Sequence, residues 1–348
     1  MHLSKKPNWV VSSFSWRKIM TRSSDATGLV MQAPSDFRQL ACTSWQLPPC
    51  AEGELQVQIE HVALNFADLL LCAGRYQIRP EPPYSPGLEV AGRVISQGHA
   101  LSGRRVVGLL DYGGLATRCN IPQHHLVDID DDVSNQQAVC LPVGYGTSEA
   151  GLFHRAQLSS NDTLLIHGAS SGVGKTAAEL ARALGCRVVL SASSPERQEM
   201  LQAQGYEHVF VIGDDFRGQI EAVFGPRPIN VVYDALGGAI AKPSLSLLGF
   251  GGRYLVIGFA AGEPPLFPAN HLLVKNVDVL GFYWGAYVHH DTSQYVSVMK
   301  RLMKKVSQKI IDPQYIELYG FSGAMEGLSL LEDRKANGKI VIDVTKNG

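Results

Sequence analysis

The sequence has no closely spaced pair of cysteines. Cys42, Cys50, Cys72, Cys119, Cys140 and Cys186 are scattered, which argues against a four-cysteine zinc lobe or a disulfide framework, since both need short, regular spacings. Reduced, structural thiols are expected instead. An excess of one charge is also missing. With 31 Lys plus Arg against 32 Asp plus Glu, the chain has no positive field to attract a nucleic acid or a membrane surface, so neither a nucleic-acid partner nor membrane insertion is expected. No paired carboxylates or nucleophile constellation argues for hydrolysis. Acids are absent before Asp25, where Lys5, Lys6, Arg17, Lys18 and Arg22 accompany Ser12, Ser13 and Ser15. That stretch holds no apolar run long enough for a signal peptide or a membrane span. Residues 1–26 are read as an N-terminal extension, either unstructured or an organelle transit peptide. The expected location is cytoplasmic, with the mitochondrial matrix as the alternative that the basic start allows.

What is present is length and rhythm. At 348 residues the chain exceeds the size that one hydrophobic core usually serves, so two domains are expected. Residues 27–150 read as strands and turns. LQVQIEHVAL (55–64) nearly alternates, GLEVAGRVI and RRVVGLL are short β-branched runs, and RPEPPYSPG (79–87) is a proline-rich loop barred from a central strand. A helix is expected over 65–73. Residues 151–285 have a different period: the strands TLLIHG, RVVLSAS, HVFVIG, NVVYDALG and GRYLVIG are interleaved with helices. KTAAELARALG stops at Gly185, and PERQEMLQAQG opens at Pro195 behind a Ser194 cap. This alternation specifies a parallel βαβ sheet. The tail adds a helix YVSVMKRLMKKVSQ, a helix through MEGLSLLEDRKANG and a strand KIVIDV, which pattern alone assigns to neither domain.

The turn GASSGVGKT, between TLLIH and the first helix, fits more than one chemistry. Read from Ala169 to Thr176 it approaches a P-loop, with Lys175 for phosphate, Thr176 for magnesium and NVVYD, ending at Asp234, as the acidic strand. Ala169 where glycine is usual, and Ser171 and Val173 within the loop, count against this. Read as a dinucleotide turn, Gly168, Gly172 and Gly174 let backbone approach a pyrophosphate at a helix N-terminus, in the required strand-turn-helix context. The spacing also resembles short-chain dehydrogenases, but the Tyr-x-x-x-Lys pair they need for proton transfer is absent from the chain. Ser171, standing where the most familiar fingerprint has glycine, is unexplained.

The next strand selects the form of the cofactor. NAD enzymes commonly end it in Asp or Glu, which binds the ribose diol. Here Ser191, Ser193 and Ser194 occupy the turn and Arg197 lies just inside the helix. Hydroxyls and a guanidinium suit a 2′-phosphate, so NADPH is expected over NADH. The alternative is that the serines only cap the helix and Arg197 is a solvated surface residue.

NFADLLLCAGRYQIRPEPPYSPGLEVAGRV, GRRVVGLLDYGGLATRCNIP, LPVGYGTSEAGLFHRAQL, the glycine turn and LVKNVDVLGFYWGAY follow one another across 27–344. In that order they resemble the medium-chain dehydrogenase/reductase superfamily, and most closely its zinc-independent, zeta-crystallin-like quinone oxidoreductase branch. The resemblance implies an α/β fold in which a doubly wound parallel Rossmann sheet, 151–285, binds NADPH. A β-rich GroES-like catalytic domain would comprise 27–150 and 286–348, with nicotinamide entering between the two domains. Zinc-bearing members carry a histidine where PGLEV has Leu88, and a cysteine near Asn65, so no metal is expected. On the substrate side the resemblance implies Asn65 and Tyr76, while Leu70 and Cys72 depart from the tyrosine and arginine of other members. Helix capping by Asn65 and ordinary packing by Tyr76 stay open. On the cofactor side it implies Thr147, Ser170, Ser171, Gly172, Val173, Gly174, Ser193 and Arg197, with Arg334 as a further basic group. The loops around Gly258 and Phe259, and around Phe282 and Trp284, would close over the nicotinamide.

The expected function is NADPH-dependent hydride transfer to a small-molecule quinone or similar electron-poor carbonyl, without metal. One alternative is an enoyl-thioester or alkenal double-bond reductase, because YGGLATRCNIP is also similar to polyketide enoyl reductase domains. Another is a non-catalytic NADPH-binding protein. A homodimer through the NVDVLGFYWG edge is implied by the resemblance.

Overall fold

The computed structural model describes residues 26–346. The expected extension over 1–26 lies outside the described residues except for Ala26, which opens the strand Ala26–Val30. The described chain divides into two compact units, one running to Gln123 and resuming at Ile316, the other spanning His124–Tyr315.

Unit two is built on a six-stranded sheet, ordered in space as His208–Val211, Arg187–Ala192, Thr163–His167, Ile229–Asp234, Leu248–Val256 and Asp278–Gly281. All neighbouring pairs are parallel. In chain order this is 3-2-1-4-5-6, the doubly wound arrangement whose winding reverses beside the first strand. Strands of this kind are covered on both faces, which is why TLLIH is buried at every position. Leu165, Val189, Val232 and Tyr254 from the strands pack with Phe216, Ile220, Leu245 and Leu247 from the helices. Helix Gly172–Leu184 turns Ala177, Ala178, Leu180 and Ala181 inward. The three small side chains let its axis lie close to the sheet. Gly185 stops it in the left-handed conformation at φ 84°.

Unit one centres on the strand Glu54–Leu64, whose first half buries Leu55, Val57 and Ile59 in alternation. It pairs antiparallel with Lys339–Asp343, with Glu89–Val94 and, near its start, with Arg118–Pro122. The strand Tyr315–Tyr319 flanks Lys339–Asp343. The C-terminal helix Gly320–Glu332 and the last strand therefore belong to unit one.

The unit edges differ from the sequence boundaries at 150/151 and 285/286. Asn135–Val139, Leu141–Tyr145, Gly146–Glu149 and Ala150–Arg155 form one helical run, part of it wound with the wider π turn, so 150/151 falls inside it. Pro142, Gly144, Gly146 and Gly151 mask that run in any reading of helix propensity. Helix Thr292–Ser307 packs against it, with the Arg301 guanidinium on both Glu149 oxygens at 2.6 and 3.1 Å. This contact carries residues 286–315 into unit two.

Candidate active site

The glycine turn leaves the C-terminal end of Thr163–His167, at the reversal of the sheet, where ligands of open α/β sheets bind. A Cβ on Gly174 would lie 2.0 Å from the Gly168 carbonyl oxygen, so no other residue fits there. A Cβ on Gly172 would meet nothing within 4 Å, so the protein itself does not require glycine at that position. A ligand approaching the backbone would. Ser171 is the N-cap of the helix, and its hydroxyl accepts from the Gly174 N–H at 3.2 Å. This explains its departure from the fingerprint: the side chain satisfies the helix end while Gly172 keeps the approach open. Ser170 beside it is exposed.

The P-loop reading fails on two hydrogen-bond sets. The Thr176 hydroxyl is engaged by the Gly144 and Val173 carbonyl oxygens at 3.0 and 2.9 Å and by Ser148 at 2.9 Å. Asp234 is fully buried and accepts from the Leu236 and Gly237 N–H groups and from the Tyr254 hydroxyl. Neither residue has a position for magnesium.

Strand Arg187–Ala192 ends without a carboxylate. Ser191 is buried and bonded to His167, and Ser194 caps the next helix by accepting from the Arg197 N–H. Both serve the fold. Ser193 is exposed, and among the described residues neither its hydroxyl nor the Arg197 guanidinium has a partner. A hydroxyl and a guanidinium left uncommitted at a strand end fit a 2′-phosphate, and the missing carboxylate removes what would repel one.

Thr147 lies on the helical run that packs against this turn, nearly buried, its hydroxyl unbonded among the described residues. Gly258 and Phe259 follow the strand Leu248–Val256 at the same strand ends, the Gly258 N–H reaching the Asp234 carbonyl oxygen at 3.3 Å with the Phe259 ring half exposed. The other two rings expected to close over the nicotinamide are used differently. The Trp284 indole donates to the Pro142 carbonyl oxygen at 2.9 Å, and Phe282 stacks beside it with ring centres 6.2 Å apart. Both side chains are largely buried in unit two. Arg334 is exposed in unit one, just past helix Gly320–Glu332, whereas the rest of the cofactor set belongs to unit two.

In unit one, Asn65 occupies the N-cap position of helix Phe66–Cys72, but its amide does not cap the helix. Its nitrogen donates to Glu89 at 2.9 Å, and its oxygen accepts from Lys339, which also forms an ion pair with Glu89. Asp68 completes the cap, accepting from the Asn65 and Gly87 N–H groups at 2.7 and 3.0 Å. Burial pushes its carboxyl up to about 7 although both backbone bonds oppose the shift. Asp68 is thus a support for the loop that precedes Glu89. Tyr76 stands half-buried on the segment after the helix. Lys339 and Glu89 were not singled out from the sequence. Lys339 is 274 positions from Asn65, and no local pattern announces the pair.

Two family models match the chain, an alcohol dehydrogenase GroES-like domain over residues 51–131 and a zinc-binding dehydrogenase over residues 172–301. Quinone oxidoreductase-like protein 2 of Rattus norvegicus is 30% identical over 323 residues, covering 88% of this chain and 92% of the relative. A homologue from Nematostella vectensis is 33% identical over 298 residues, covering 84% and 82%. This chain is a zinc-independent medium-chain dehydrogenase/reductase of the quinone oxidoreductase branch. The structure of the quinone oxidoreductase from Thermus thermophilus, solved also in complex with NADPH, is similar at a TM-score of 0.76 and 29% identity over 91% of this chain and 99% of that one. Within the superfamily this chain lacks a catalytic zinc set on chemical grounds. Leu88 is a buried hydrocarbon where the histidine ligand would stand, and the adjacent Glu89 is committed to Lys339. Among the described residues, the three-residue group with metal-ligating geometry is His61, Glu317 and Asp343, none of which belongs to that set.

Proposed function

We propose that this protein is an NADPH-dependent oxidoreductase that reduces a quinone or a similar electron-poor carbonyl without metal. The observation that carries the reading is the glycine turn of unit two: Gly172 open to a pyrophosphate, with uncommitted Ser193 and Arg197 at the next strand end. NADPH, when bound, supplies the hydride. The backbone N–H groups of the first turn of helix Gly172–Leu184 hold its pyrophosphate, aided by the positive end of the helix dipole. Arg197 and Ser193 would hold its 2′-phosphate, and Thr147 and the Gly258–Phe259 loop would meet its nicotinamide half.

Asn65 and Tyr76 line the substrate side. Lys339 and Glu89 fix the orientation of the Asn65 amide from opposite ends, which preorganises that amide as a polar contact for a substrate oxygen. Catalysis then rests on placement and electrostatics, which a quinone needs and a hydrolysable substrate would not find sufficient. The relatives named quinone oxidoreductase-like and the NADPH complex of the Thermus thermophilus enzyme support this reading. The test is absorbance at 340 nm with purified protein, NADPH or NADH, and a panel of 9,10-phenanthrenequinone, 1,4-benzoquinone, an alkenal and crotonyl-CoA. Quinone turnover is expected. Rapid crotonyl-CoA turnover without quinone turnover would assign the protein to the enoyl reductases.

We also infer a homodimer formed through the strand Asp278–Gly281. It is one of the two edges of the parallel sheet, the other being His208–Val211, and Phe250, Leu273 and Val274, on the adjoining strand and helix, are exposed apolar side chains. Sedimentation velocity at micromolar protein measures this directly, and a monomer would refute it. Among the described residues no helix is long and apolar enough to cross a membrane.

A further inference from the structure

We propose that His61, Glu317 and Asp343 form a binding site for one divalent transition-metal ion of the zinc type, separate from the hydride-transfer chemistry. The three residues come from three neighbouring strands of unit one. His61 on Glu54–Leu64 is the direct cross-strand partner of Asp343 on Lys339–Asp343, and Glu317 lies on Tyr315–Tyr319 next to it. One ligand atom from each lies within 4.8 Å of the other two. One imidazole and two carboxylates are the borderline donor set that zinc and its neighbours accept.

The second observation is the state of the imidazole. His61 is only 8% exposed, and among the described residues neither ring nitrogen has a hydrogen-bond partner. A buried polar ring without a partner is unusual and calls for an explanation. Its Nε2 stands 3.6 Å from the Glu317 carboxylate, beyond hydrogen-bond length. Two ligands held at zinc-like distances in a tetrahedron are separated by about 3.4 Å, close to that spacing. Burial pulls the His61 pKa below its ordinary value although Asp343, Glu317 and Glu60 oppose the shift, and the metal requires the neutral ring.

The surrounding charges are mixed. Asp343 accepts from Thr345 and from Lys346, the latter at 3.0 Å, and those bonds keep its carboxyl below the usual range although burial opposes them. Lys346 is 58% exposed at its side chain and can turn out to solvent, so it competes with the ion without blocking it. Glu60 adds negative charge on the same strand as His61 and is itself paired with Arg93. A bound ion would tie together the three strands at one end of the unit-one sheet.

The test uses the full chain after treatment with a chelator. It is titrated with Zn2+ by calorimetry and with Co2+ by visible absorption, and its thermal unfolding is followed with and without Zn2+. The expected result is one ion per chain, tetrahedral Co2+ bands and a higher unfolding temperature with Zn2+. His61→Gln and Glu317→Gln should each weaken binding roughly tenfold or more, at least the scale commanded by outer partners of metal ligands. Lys346→Met should tighten it. Glu317 is half-buried at the rim, so its variant keeps the test decisive if the His61 variant folds poorly. The proposal is overturned by the absence of saturable binding to the wild-type chain, or by variants that bind as well as it does. A doubly protonated His61 ring at pH 7, seen by nitrogen NMR, would also overturn it by making the trio an ion-pair cluster.

Discussion

The Lys339 ammonium bonds to the Asn65 amide oxygen and simultaneously forms an ion pair with Glu89, which accepts from the same amide. This ring of contacts, almost shielded from water at Glu89, sets the direction in which Asn65 faces. Lys339→Met keeps much of the apolar stem and removes the charge. It is expected to lower kcat for quinone reduction by about 10–100-fold, the scale of a small misplacement of a substrate-positioning group, while the dissociation constant for NADPH stays within about twofold because the proposed pyrophosphate and 2′-phosphate contacts lie in unit two. Stopped-flow single-turnover rates and a fluorescence binding titration measure the two parts. A change confined to NADPH affinity would show that Lys339 does not act through Asn65.

Ser171 and Gly174 make a paired prediction. Ser171→Ala removes the cap and should cost about 1 kcal/mol of stability, whereas Ser171→Gly should cost only a few tenths. Gly174→Ala forces a Cβ against the Gly168 oxygen at 2.0 Å and should abolish cofactor binding by distorting the turn. Urea unfolding with NADPH titration compares the three. Tolerance of alanine at position 174 would mean the turn is looser than its geometry indicates.

His167 gives the pH dependence. It is fully buried between Ser191 and Ser244, and burial pulls its pKa down to about 4. The unfolded chain, with an ordinary histidine near 6.5, binds the proton more tightly, so stability rises with pH across that window and falls as pH drops from about 6.5 to 4. The loss attributable to this residue is on the order of 3 kcal/mol. His167→Gln can still bond to both serines but does not titrate, so it should flatten the slope of unfolding free energy against pH. Identical slopes in the two proteins would assign the acid sensitivity elsewhere.

Trp284 separates packing from cofactor contact in its loop. Trp284→Phe loses the indole bond to Pro142 and should destabilise the protein by about 1–2 kcal/mol. NADPH affinity should hardly change, since the ring is packed inside unit two. A large loss of affinity with intact stability would restore the ring to the cofactor site.

The parts of the fold visible in sequence are those whose cause is local. Strand periods, the Ser194–Pro195 helix start and the Gly185 stop are short-range steric and hydrogen-bond effects, and they appear where the residues place them. The run 135–155 was hidden because its glycines and Pro142 disfavour an isolated helix, while burial of Leu141, Tyr145 and Leu152 holds it in place. The site divides in the same way. Gly172, Ser193 and Arg197 are close in sequence and can be proposed together from local pattern, whereas Lys339 meets Glu89 and Asn65 only because the last strand pairs with Glu54–Leu64. The indole bond from Trp284 to the Pro142 carbonyl oxygen has no local signal, because an aromatic beside a glycine looks the same in sequence whether it faces a ligand or a core.

The most direct test of the central claim is the steady-state kcat/KM for NADPH and NADH with 9,10-phenanthrenequinone, measured on chelator-treated wild-type protein and on Arg197→Glu. The account predicts turnover that survives chelation, a clear preference for NADPH, and a loss of roughly 100-fold for NADPH alone in the variant, as expected when a charge pair becomes a repulsion. Equal use of NADH and NADPH by the wild type, an equal loss for both in the variant, or activity that vanishes with the metal would contradict it.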